Sequence, residues 1–392
     1  MKEELSGVGI VVEYNPFHNG HRYHCLKAKE YGDVVIAVMS GNFVQRGEPA
    51  IVNKWERAKM ALNSGVDIVV ELPTFYSVQS AEIFSIGSVG ILNKLGVDKI
   101  VFGSESGDVK KLIKISKIEE GDEFKESIKL HLKSGLSYPT AYSKALESCG
   151  VTKEVQSNDI LGVEYIKAID YWGSSIKPIA IKREKAGYYT EGEVEGISSA
   201  TGIRKMLYEE TDFKNVVPDI TYSKLMGLYE SGKVANLKDF YPYIRYKIIS
   251  ERENIEKIQD VEEGYSVKLY NSAMKHKKFD EFFEEIKTKR YTIGRVQRIL
   301  IHILLNITKK VTQEVKKEIP YIQVLGFTEN GRKYIKELKK KDEEIKILTS
   351  LKNIKRILKN SEREKLELNE ASGRIYSLIN DYEEEQIPIM IK

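Results

Sequence analysis

Three histidines follow the first apolar run of the chain closely, in the stretch "GIVVEYNPFHNGHRYH" from Gly9 to His24. Pro16 has no backbone N–H and disfavours the α conformation at the preceding residue, so the chain must turn there. Gly20 permits close approach of the backbone to a ligand, and His21 falls in the first turn of the next helix. The free N–H groups and the dipole of that helix end favour an anion. Imidazoles at His18 and His21 suit a triphosphate, because they donate hydrogen bonds without a fixed charge.

A metal site is an alternative interpretation of the same histidines. Zinc would require a third strong ligand with fitting geometry. His24 lies on the same predicted helix as His21, whereas Cys25 points to a different face of it. Plain polar loop histidines are a further alternative, and we assign no residue as a metal ligand.

The elements that must position this loop alternate between strand and helix. Apolar, β-branched runs predict strands at Val8–Val12, Val34–Met39, Ile68–Leu72, Lys99–Phe102 and Lys177–Ile181, the last of which is expected to complete the sheet. Helical patterns cover His21–Tyr31, Lys54–Asn63, Ala81–Leu95, Glu123–Lys133, Pro139–Ser148 and Asp159–Tyr171. Continuous apolar strands separated by crossover helices predict a parallel sheet with both faces covered. Polar loops follow the strands at the edge where open α/β sheets bind ligands.

The chain has 392 residues, of which 41% are hydrophobic, and this length suffices for two or three domains. Its two cysteines exclude a disulfide framework and favour a reducing compartment. No window approaches about 18 uninterrupted apolar residues, and Val8–Val12 is too short for a signal peptide. We therefore expect a soluble cytoplasmic protein without a membrane span.

Charge is distributed unevenly along the chain. Asn271–Asn360 carries 23 Lys and Arg against 11 Asp and Glu, although the whole chain has a net charge of only +4. Such a segment attracts polyanions, because bound phosphates release counterions, but solvated lysine-rich helices would give the same composition. Charged amphipathic patterns dominate from Tyr222 onward. We therefore predict two domains, at residues 1–220 and 221–392.

Two signatures resemble those of the nucleotidyltransferase superfamily that includes class I aminoacyl-tRNA synthetases. "PFHNGH" resembles its H-x-G-H signature, and "ISSATGIRK", from Ile197 to Lys205, resembles its I-S-S-T-x-I-R element with Ala200 interposed. Ser198 and Ser199 are natural helix N-caps, and Arg204 would face the phosphates. The resemblance implies a Rossmann-like α/β parallel-sheet domain of the HIGH superfamily, followed by a mainly α-helical C-terminal domain.

Longer strings narrow the resemblance. Those that carry it are "VMSGNFVQRGEPAIVNKWERAKMAL", "GVDIVVELP", "FGSESGD", "NDILGVEY", "IKREKAGYY", "KRYTIGRVQRILIHILLNI" and "YIQVLGFTENGRKY". Together with the two signatures they resemble the tRNA(Met) cytidine acetate ligase family over nearly the whole chain. The resemblance to that family implies a reaction in two steps. In the first, acetate attacks the α-phosphate of ATP to give acetyl-adenylate and pyrophosphate. The wobble cytidine N4 of elongator tRNA(Met) then takes the acetyl group, and AMP leaves.

The resemblance also implies the ATP contacts, with His18, His21 and Arg204 in catalytic roles and Mg²⁺ arriving bound to ATP. The first loop supplies Val11, Val12, Glu13, Tyr14, Asn15, Pro16, Phe17, His18, Asn19, Gly20, His21, Arg22, Tyr23 and His24. Later segments supply Gly103, Asn158, Arg183, Ser198 and Ser199. Gly103 would leave room for an adenine or ribose, Asn158 would cap a helix and read a nucleotide edge, and Arg183 would pair with phosphate.

The sequence departs from the family pattern at two places. The family commonly has Asn-Asn before "ILG" and Tyr-His after "KAG", where this chain has Asn158-Asp159 and Tyr188-Tyr189. Asp159 would place a negative charge near the nucleotide or serve in helix capping. Arg46 and Lys54 would hold acetate or RNA phosphate, or would be surface residues only.

The basic segment gives a site for the RNA. The predicted RNA contacts cluster around "KTKRYTIGRVQR", and they are Lys289, Arg290, Arg295 and Arg298. Of these, Arg295 and Arg298 are expected on one face of a helix. Tyr291 offers a stacking surface for a single-stranded base. His302, within an apolar stripe, is expected to be a satisfied buried histidine.

Three other functions fit parts of the sequence. A cofactor-pathway adenylyltransferase would be much shorter and would not need the basic half. An RNA-binding module without catalysis would not retain His18, His21 and Arg204. An aminoacyl-tRNA synthetase-like ligase would carry a K-M-S-K-S-type string, which this chain lacks.

Overall fold

A computed structural model gives the fold of the chain. It describes residues 5–151, 155–183, 196–288, 291–352, 354–380, 382 and 387–391. Two of the expected RNA contacts, Lys289 and Arg290, lie outside the described residues, as do Tyr188 and Tyr189. Of the helices that are described, none combines the length and apolar character needed to cross a membrane.

The strands confirm the predicted α/β class. They are β1 (Gly7–Val12), β2 (Val34–Ser40), β3 (Phe43–Val44), β4 (Glu48–Pro49), β5 (Ile68–Leu72), β6 (Lys99–Ser104), β7 (Lys177–Lys182), β8 (Ile322–Thr328), β9 (Ile347–Leu348) and β10 (Ile389–Ile391). The main sheet has the order β10-β8-β5-β2-β1-β6-β7, and β9 pairs with β8. The pairs among β5, β2, β1, β6 and β7 are all parallel, as the apolar runs predict. The short strands β3 and β4 form a separate antiparallel hairpin.

The helices predicted in the first part of the chain lie within two residues of their observed bounds. Those before residue 210 are α1 (Asn19–Lys29), α2 (Lys54–Leu62), α3 (Thr74–Ser77), α4 (Ala81–Lys94), α5 (Val109–Glu120), α6 (Asp122–Lys133), α7 (Tyr138–Ser148), α8 (Ser157–Tyr171) and α9 (Ala200–Tyr208). The later ones are α10 (Asp219–Glu230), α11 (Tyr241–Ser250), α12 (Tyr265–Lys275), α13 (Phe279–Ile286), α14 (Ile293–Leu305), α15 (Lys309–Val315), α16 (Glu329–Lys341), α17 (Ile354–Ile357) and α18 (Asn360–Asn380). The sequence patterns did not predict α3 and α5.

Both faces of the sheet are covered, which explains the continuous apolar strands. All seven residues of β2 are buried. Val34, Ile36 and Val38 enter one core cluster, whereas the alternating residues Val35 and Met39 enter another. Because strand side chains alternate between faces, a strand between two helical layers must be apolar throughout.

The expectation that Lys177–Ile181 completes the sheet is wrong. Strand β8 extends it beyond β5 and runs antiparallel, with Ile68 opposite Phe327. The first five residues of β8 are buried, so this apolar strand shields an edge of β5 that would otherwise be open. Residues 221–392 are mainly helical, as expected, but their strands belong to the same sheet. The domain boundary at residue 220 therefore remains a prediction, and the main sheet contains strands from both sides of it.

Tyr76 in α3 ties the first part of the chain to the last. Its ring is fully buried, and its hydroxyl donates to the carbonyl oxygens of Val315 at 2.7 Å and Glu318 at 3.0 Å. Gly87 on α4 lies against this ring, where an added Cβ would be 2.3 Å from Tyr76 Cγ. The close approach of α4 to α3 therefore requires glycine at position 87.

Gly87→Ala is expected to destabilise the protein by on the order of 2 kcal/mol, because the buried ring of Tyr76 cannot move aside without strain. The matched control is Gly227→Ala in the exposed middle of α10, where an added Cβ meets nothing within 4 Å. There the same change should stabilise by about 1 kcal/mol through helix propensity. Urea unfolding of both variants measures the difference, and equal shifts would contradict the packing of α4 on α3.

Candidate active site

The turn that follows β1 holds the signature histidines in place. Tyr14 is buried and has a φ of 51°, a left-handed conformation that costs a non-glycine residue about 1–3 kcal/mol. Two arginines bind the backbone on either side of it. Arg57 Nη1 donates to the Glu13 carbonyl oxygen at 2.6 Å, and Arg204 Nη1 donates to the Asn15 carbonyl oxygen at 2.7 Å. The strained turn is therefore anchored at both ends by buried or half-buried guanidinium groups.

His18 and His21 stand together at the N-terminus of α1. His18 is the N-cap residue, and its ring stacks on that of His21 with centroids 3.6 Å apart. The His18 backbone N–H donates to His21 Nδ1 at 3.3 Å, which leaves the proton of a neutral His21 on Nε2. His18 Nδ1 is buried without a hydrogen-bond partner among the described residues. An unpartnered polar atom beside a helix N-terminus fits a site for a phosphate oxygen.

Burial keeps these imidazoles uncharged. Burial, together with the nearby positive charge of Arg183, lowers the pKa of His18 to about 3. Burial also lowers the pKa of His21 well below its ordinary value, with His18, His24 and Arg183 adding to the effect. At neutral pH both rings are therefore neutral and can donate or accept a single hydrogen bond.

The structure does not favour a metal site at these histidines. His24 Nε2 lies 3.0 Å from the carbonyl oxygen of Val101, which ties α1 to β6. Burial lowers the pKa of His24 to about 4, against the opposing effect of that hydrogen bond. Cys25 Sγ lies 3.2 Å from the Tyr14 hydroxyl. Within the described ranges, no three or more His, Cys, Asp and Glu side chains are arranged to hold a metal ion.

The second signature lies against the first. Asn19 Nδ2 donates to the carbonyl oxygens of Gly196 at 3.2 Å and Asn215 at 3.1 Å. Ser199 is the N-cap of α9 and accepts from the Gly202 N–H at 3.1 Å, whereas the Ser198 hydroxyl lies over Gly202 without capping. Together with the bond from Arg204 to Asn15, these contacts bring both signatures together, and we refer to the site between them as the cleft.

Gly103, Asn158 and Arg183 also lie together, but not as predicted. An added Cβ at Gly103 would be 3.1 Å from Arg183 Cγ, so the space over Gly103 is filled by the arginine stem. Asn158 is the second residue of α8 rather than its N-cap, which is Gln156. Its Oδ1 accepts from Arg183 Nη1 at 3.2 Å. Arg183 Nη1 is therefore engaged by the amide oxygen before any nucleotide binds.

Two acidic residues organise this side of the cleft. Glu105 accepts from the backbone N–H of Asp159 at 2.9 Å and from the Asn158 side chain, and so caps α8 from outside the helix. Asp159 is buried and accepts from the hydroxyl of Ser104 and the N–H of Ser106. Its carboxylate therefore fixes the loop after β6, and the alternative that it caps a helix is wrong.

Several other residues of the predicted ATP-binding loop pack into the protein core. Val12, Tyr14 and Phe17 belong to a buried core cluster, and the Tyr14 ring meets those of Phe17 at 4.6 Å and His21 at 4.9 Å. Burial raises the pKa of Glu13, while the N–H of Gln45 and the charges of neighbouring arginines oppose the rise. The loop thus presents few free side chains, and its backbone is held by its neighbours.

Lys54 is not the surface residue that one interpretation of the sequence allowed. Its ammonium lies 2.9 Å from Glu71 Oε2, and both side chains are 1% exposed. Arg46 is exposed at the tip of the β3–β4 hairpin. This hairpin touches α14, since an added Cβ at Gly47 would be 2.2 Å from the Arg298 nitrogen.

The helix predicted to bind RNA is α14. Arg295 Nη2 donates to Glu262 Oε1 at 2.7 Å, and Arg298 Nε lies 3.5 Å from Asp260 Oδ2. The two arginines share a face, as expected, but both are half-buried and paired with carboxylates. Tyr291 is also buried, with Arg295 over its ring, which leaves little of the stacking surface that the sequence predicted.

The prediction that His302 is buried agrees with the structure. His302 is fully buried, and its ring nitrogens lie 2.6 Å from the carbonyl oxygen of Val78 and 3.2 Å from that of Gln259. A neutral imidazole can donate only one of these two bonds, and the contacts place His302 between α14 and two loops within the core.

Sequence reasoning missed Arg57, Glu48 and Glu105. Arg57 is fully buried on α2, on the same face as Lys54 and Ala58. Two basic residues, Lys54 and Arg57, on one face of a helix that follows the ligand edge were the available signal. Glu48 accepts from Arg204 at 3.4 Å and from Gln297 at 3.2 Å, and no local pattern indicates these distant partners.

Comparison with known proteins identifies the family. The family described as HIGH Nucleotidyl Transferase matches residues 5–388. A protein of Fusobacterium nucleatum subsp. nucleatum named tRNA(Met) cytidine acetate ligase is 46% identical over 397 residues, covering 98% of each chain. Another of that name, from Thermosipho africanus, is 47% identical over 381 residues, covering 91% of this chain and 88% of its own.

Solved structures give the same result. The crystal structure of Thermotoga maritima TmcAL bound with alpha-thio ATP is 32% identical, has a TM-score of 0.87 and covers 98% of this chain and 99% of its own. The apo form of that protein has a TM-score of 0.89 with the same identity and coverage. The chain therefore belongs to the HIGH nucleotidyltransferase family and, within it, to the tRNA(Met) cytidine acetate ligases.

Proposed function

We propose that this protein is an ATP-dependent ligase that acetylates N4 of the wobble cytidine of elongator tRNA(Met). The observation that carries the proposal is the meeting of two signatures at one cleft, in a chain that belongs to this family. His18 and His21 stack there as neutral imidazoles, and Arg204 reaches the same turn through Asn15. The alternatives of a cofactor-pathway adenylyltransferase and a non-catalytic RNA module do not account for full-length similarity to the ligases.

The reaction has two steps. A carboxylate oxygen of acetate attacks the α-phosphorus of ATP, and pyrophosphate leaves with the electrons of the broken P–O bond. The N4 amine of the cytidine then attacks the acetyl carbonyl carbon, AMP leaves, and the amine loses a proton. The adenylate makes the acetyl group electrophilic, so the protein has to supply position and charge stabilisation.

The residues of the cleft have separate tasks. His18 and His21 donate hydrogen bonds to oxygens of the α-phosphate as negative charge builds up there. Arg204 leaves Glu48 to pair with the phosphates, and Arg183 leaves Asn158 to do the same. The N-termini of α1 and α9, the latter with Ser198 and Ser199, add backbone N–H groups. Mg²⁺ would be held by the phosphates of ATP, where it would neutralise part of their negative charge.

The RNA approaches from the α14 side. Lys289, Arg290, Arg295 and Arg298 contact the phosphates of the anticodon arm, so that the wobble base reaches the cleft beside the β3–β4 hairpin. Arg295 and Arg298 must exchange their partners Glu262 and Asp260 for phosphate. In this arrangement residues 1–220 hold the nucleotide and helices of residues 221–392 hold the RNA. The cytoplasm supplies ATP, acetate and tRNA, and we place the enzyme there.

His18→Asn and His21→Asn are each expected to lower acetate-dependent exchange of pyrophosphate into ATP by about 10²–10³-fold, the usual effect of losing one transition-state donor. Binding of tRNA should stay within about twofold, because neither histidine is among the predicted RNA contacts. His131→Asn, on α6 away from the cleft, is the matched control and should exchange like the wild type. Undiminished exchange in His21→Asn, or transfer to tRNA from acetyl-CoA instead of acetate, would contradict the proposal.

Lys289→Gln/Arg290→Gln should weaken tRNA binding and reduce its salt dependence. Each lost phosphate contact on single-stranded RNA lowers the slope of log K against log salt by about 0.7, so two contacts account for about 1.4. Lys336→Gln/Lys340→Gln on α16 removes the same charge at the opposite edge of the sheet. An equal loss of slope in both double variants would refute the assignment to the α14 side, and filter binding over a salt series measures it.

A further inference from the structure

We propose that Arg57 is a positioning residue for acetate activation, which holds the turn after β1 so that His21 meets the nucleotide in the reactive geometry. The inference rests on the proposed function of the cleft. Arg57 lies behind the turn on α2, and it acts without touching either substrate.

Among the described residues, every hydrogen-bond acceptor of the Arg57 guanidinium is a backbone carbonyl. Nε donates to Val52 at 3.0 Å, and Nη1 donates to Glu13 at 2.6 Å and to Ser40 at 2.9 Å. Nη2 donates to Gly41. These carbonyls belong to the ends of β1 and β2 and to the segment before α2. One side chain therefore joins three segments that border the cleft.

This pattern suits arginine alone among the basic residues. The side chain is 0% exposed, and a buried charge is tolerated only where its donors are satisfied. The planar fork of a guanidinium reaches four carbonyls in fixed directions, whereas a lysine ammonium is a single point with three donors. A buried cation that bonds only to backbone carbonyls specifies the path of the chain.

Contacts lead from Arg57 to the histidine. Its bond to Glu13 fixes the residue before Tyr14, which has a φ of 51° and would relax if released. The ring of Tyr14 lies edge-on to that of His21, 4.9 Å away. A change in the turn therefore moves the imidazole that is proposed to meet the phosphate.

Arg57→Lys and Arg57→Ala test the proposal, with Lys59→Gln on the same helix as the control. Because a misplacement of about 1 Å can cost about 10²-fold, kcat for exchange should fall by about 10- to 100-fold in Arg57→Lys, with KM for ATP nearly unchanged. Guanidinium at millimolar concentration should restore part of the kcat of Arg57→Ala, and ammonium should not. Folded variants with wild-type kcat overturn the proposal, and variants that lose the folded far-UV spectrum assign Arg57 to stability and overturn it as well.

A second readout separates this inference from the proposed function. The ¹⁵N and ¹³C signals of the His18 and His21 rings, assigned with the asparagine variants, are recorded without substrates. They should shift in Arg57→Lys, whereas the His302 signals should not. A wild-type protein that fails to exchange overturns the proposed function alone, and unmoved His18 and His21 signals overturn the positioning role alone.

Discussion

The cleft depends on a left-handed turn that is anchored by two arginines. Tyr14 adopts a conformation that a non-glycine residue does not hold unaided. Arg57 binds the carbonyl before it, and Arg204 binds the carbonyl after it. These anchors come from α2 and α9, which are far apart in sequence. The histidine loop therefore takes its form only when the sheet and the second signature have assembled around it.

The same arginines link the cleft to the rest of the molecule. Arg204 also reaches Glu48 on the β3–β4 hairpin, and Gln297 of α14 donates to the other oxygen of that carboxylate. The hairpin packs so closely on α14 that only glycine fits at position 47. A continuous series of polar contacts thus runs from the histidine loop to the helix proposed to meet the RNA. The cleft and the helix proposed to hold the RNA would therefore belong to one connected structure.

Local sequence patterns predicted the elements that are determined locally. The observed bounds of β5 are those of the predicted strand, because a continuous apolar run between turn residues has one simple interpretation. The histidine signature and Ser199 were placed correctly at the starts of α1 and α9. The predictions that failed concern elements whose contacts lie far away in the sequence. The antiparallel pairing of β8 with β5 joins segments about 250 residues apart, and nothing in either segment names the other.

The candidate site shows the same division between local and distant information. Gly103 was correctly linked to a close approach, but the side chain that approaches it is Arg183. Arg295 and Arg298 suggested a free basic face, whereas Glu262 and Asp260 lie opposite them. The sequence did not reveal the role of Arg57, because its hydrogen-bond acceptors are backbone carbonyls. Every residue has such a carbonyl, so the residue types give no sign of these bonds. Burial of a charge is a property of the assembled fold.

Acetate labelled with ¹⁸O in its carboxylate provides the most direct test that this cleft activates acetate on the α-phosphate of ATP. The oxygen that attacks phosphorus remains on it when the cytidine amine takes the acetyl carbon. Mass spectrometry of the nucleotide released with wild-type protein and methionine tRNA should therefore find one ¹⁸O atom in each AMP and none in pyrophosphate. Unlabelled AMP, or release of ADP, would contradict the account.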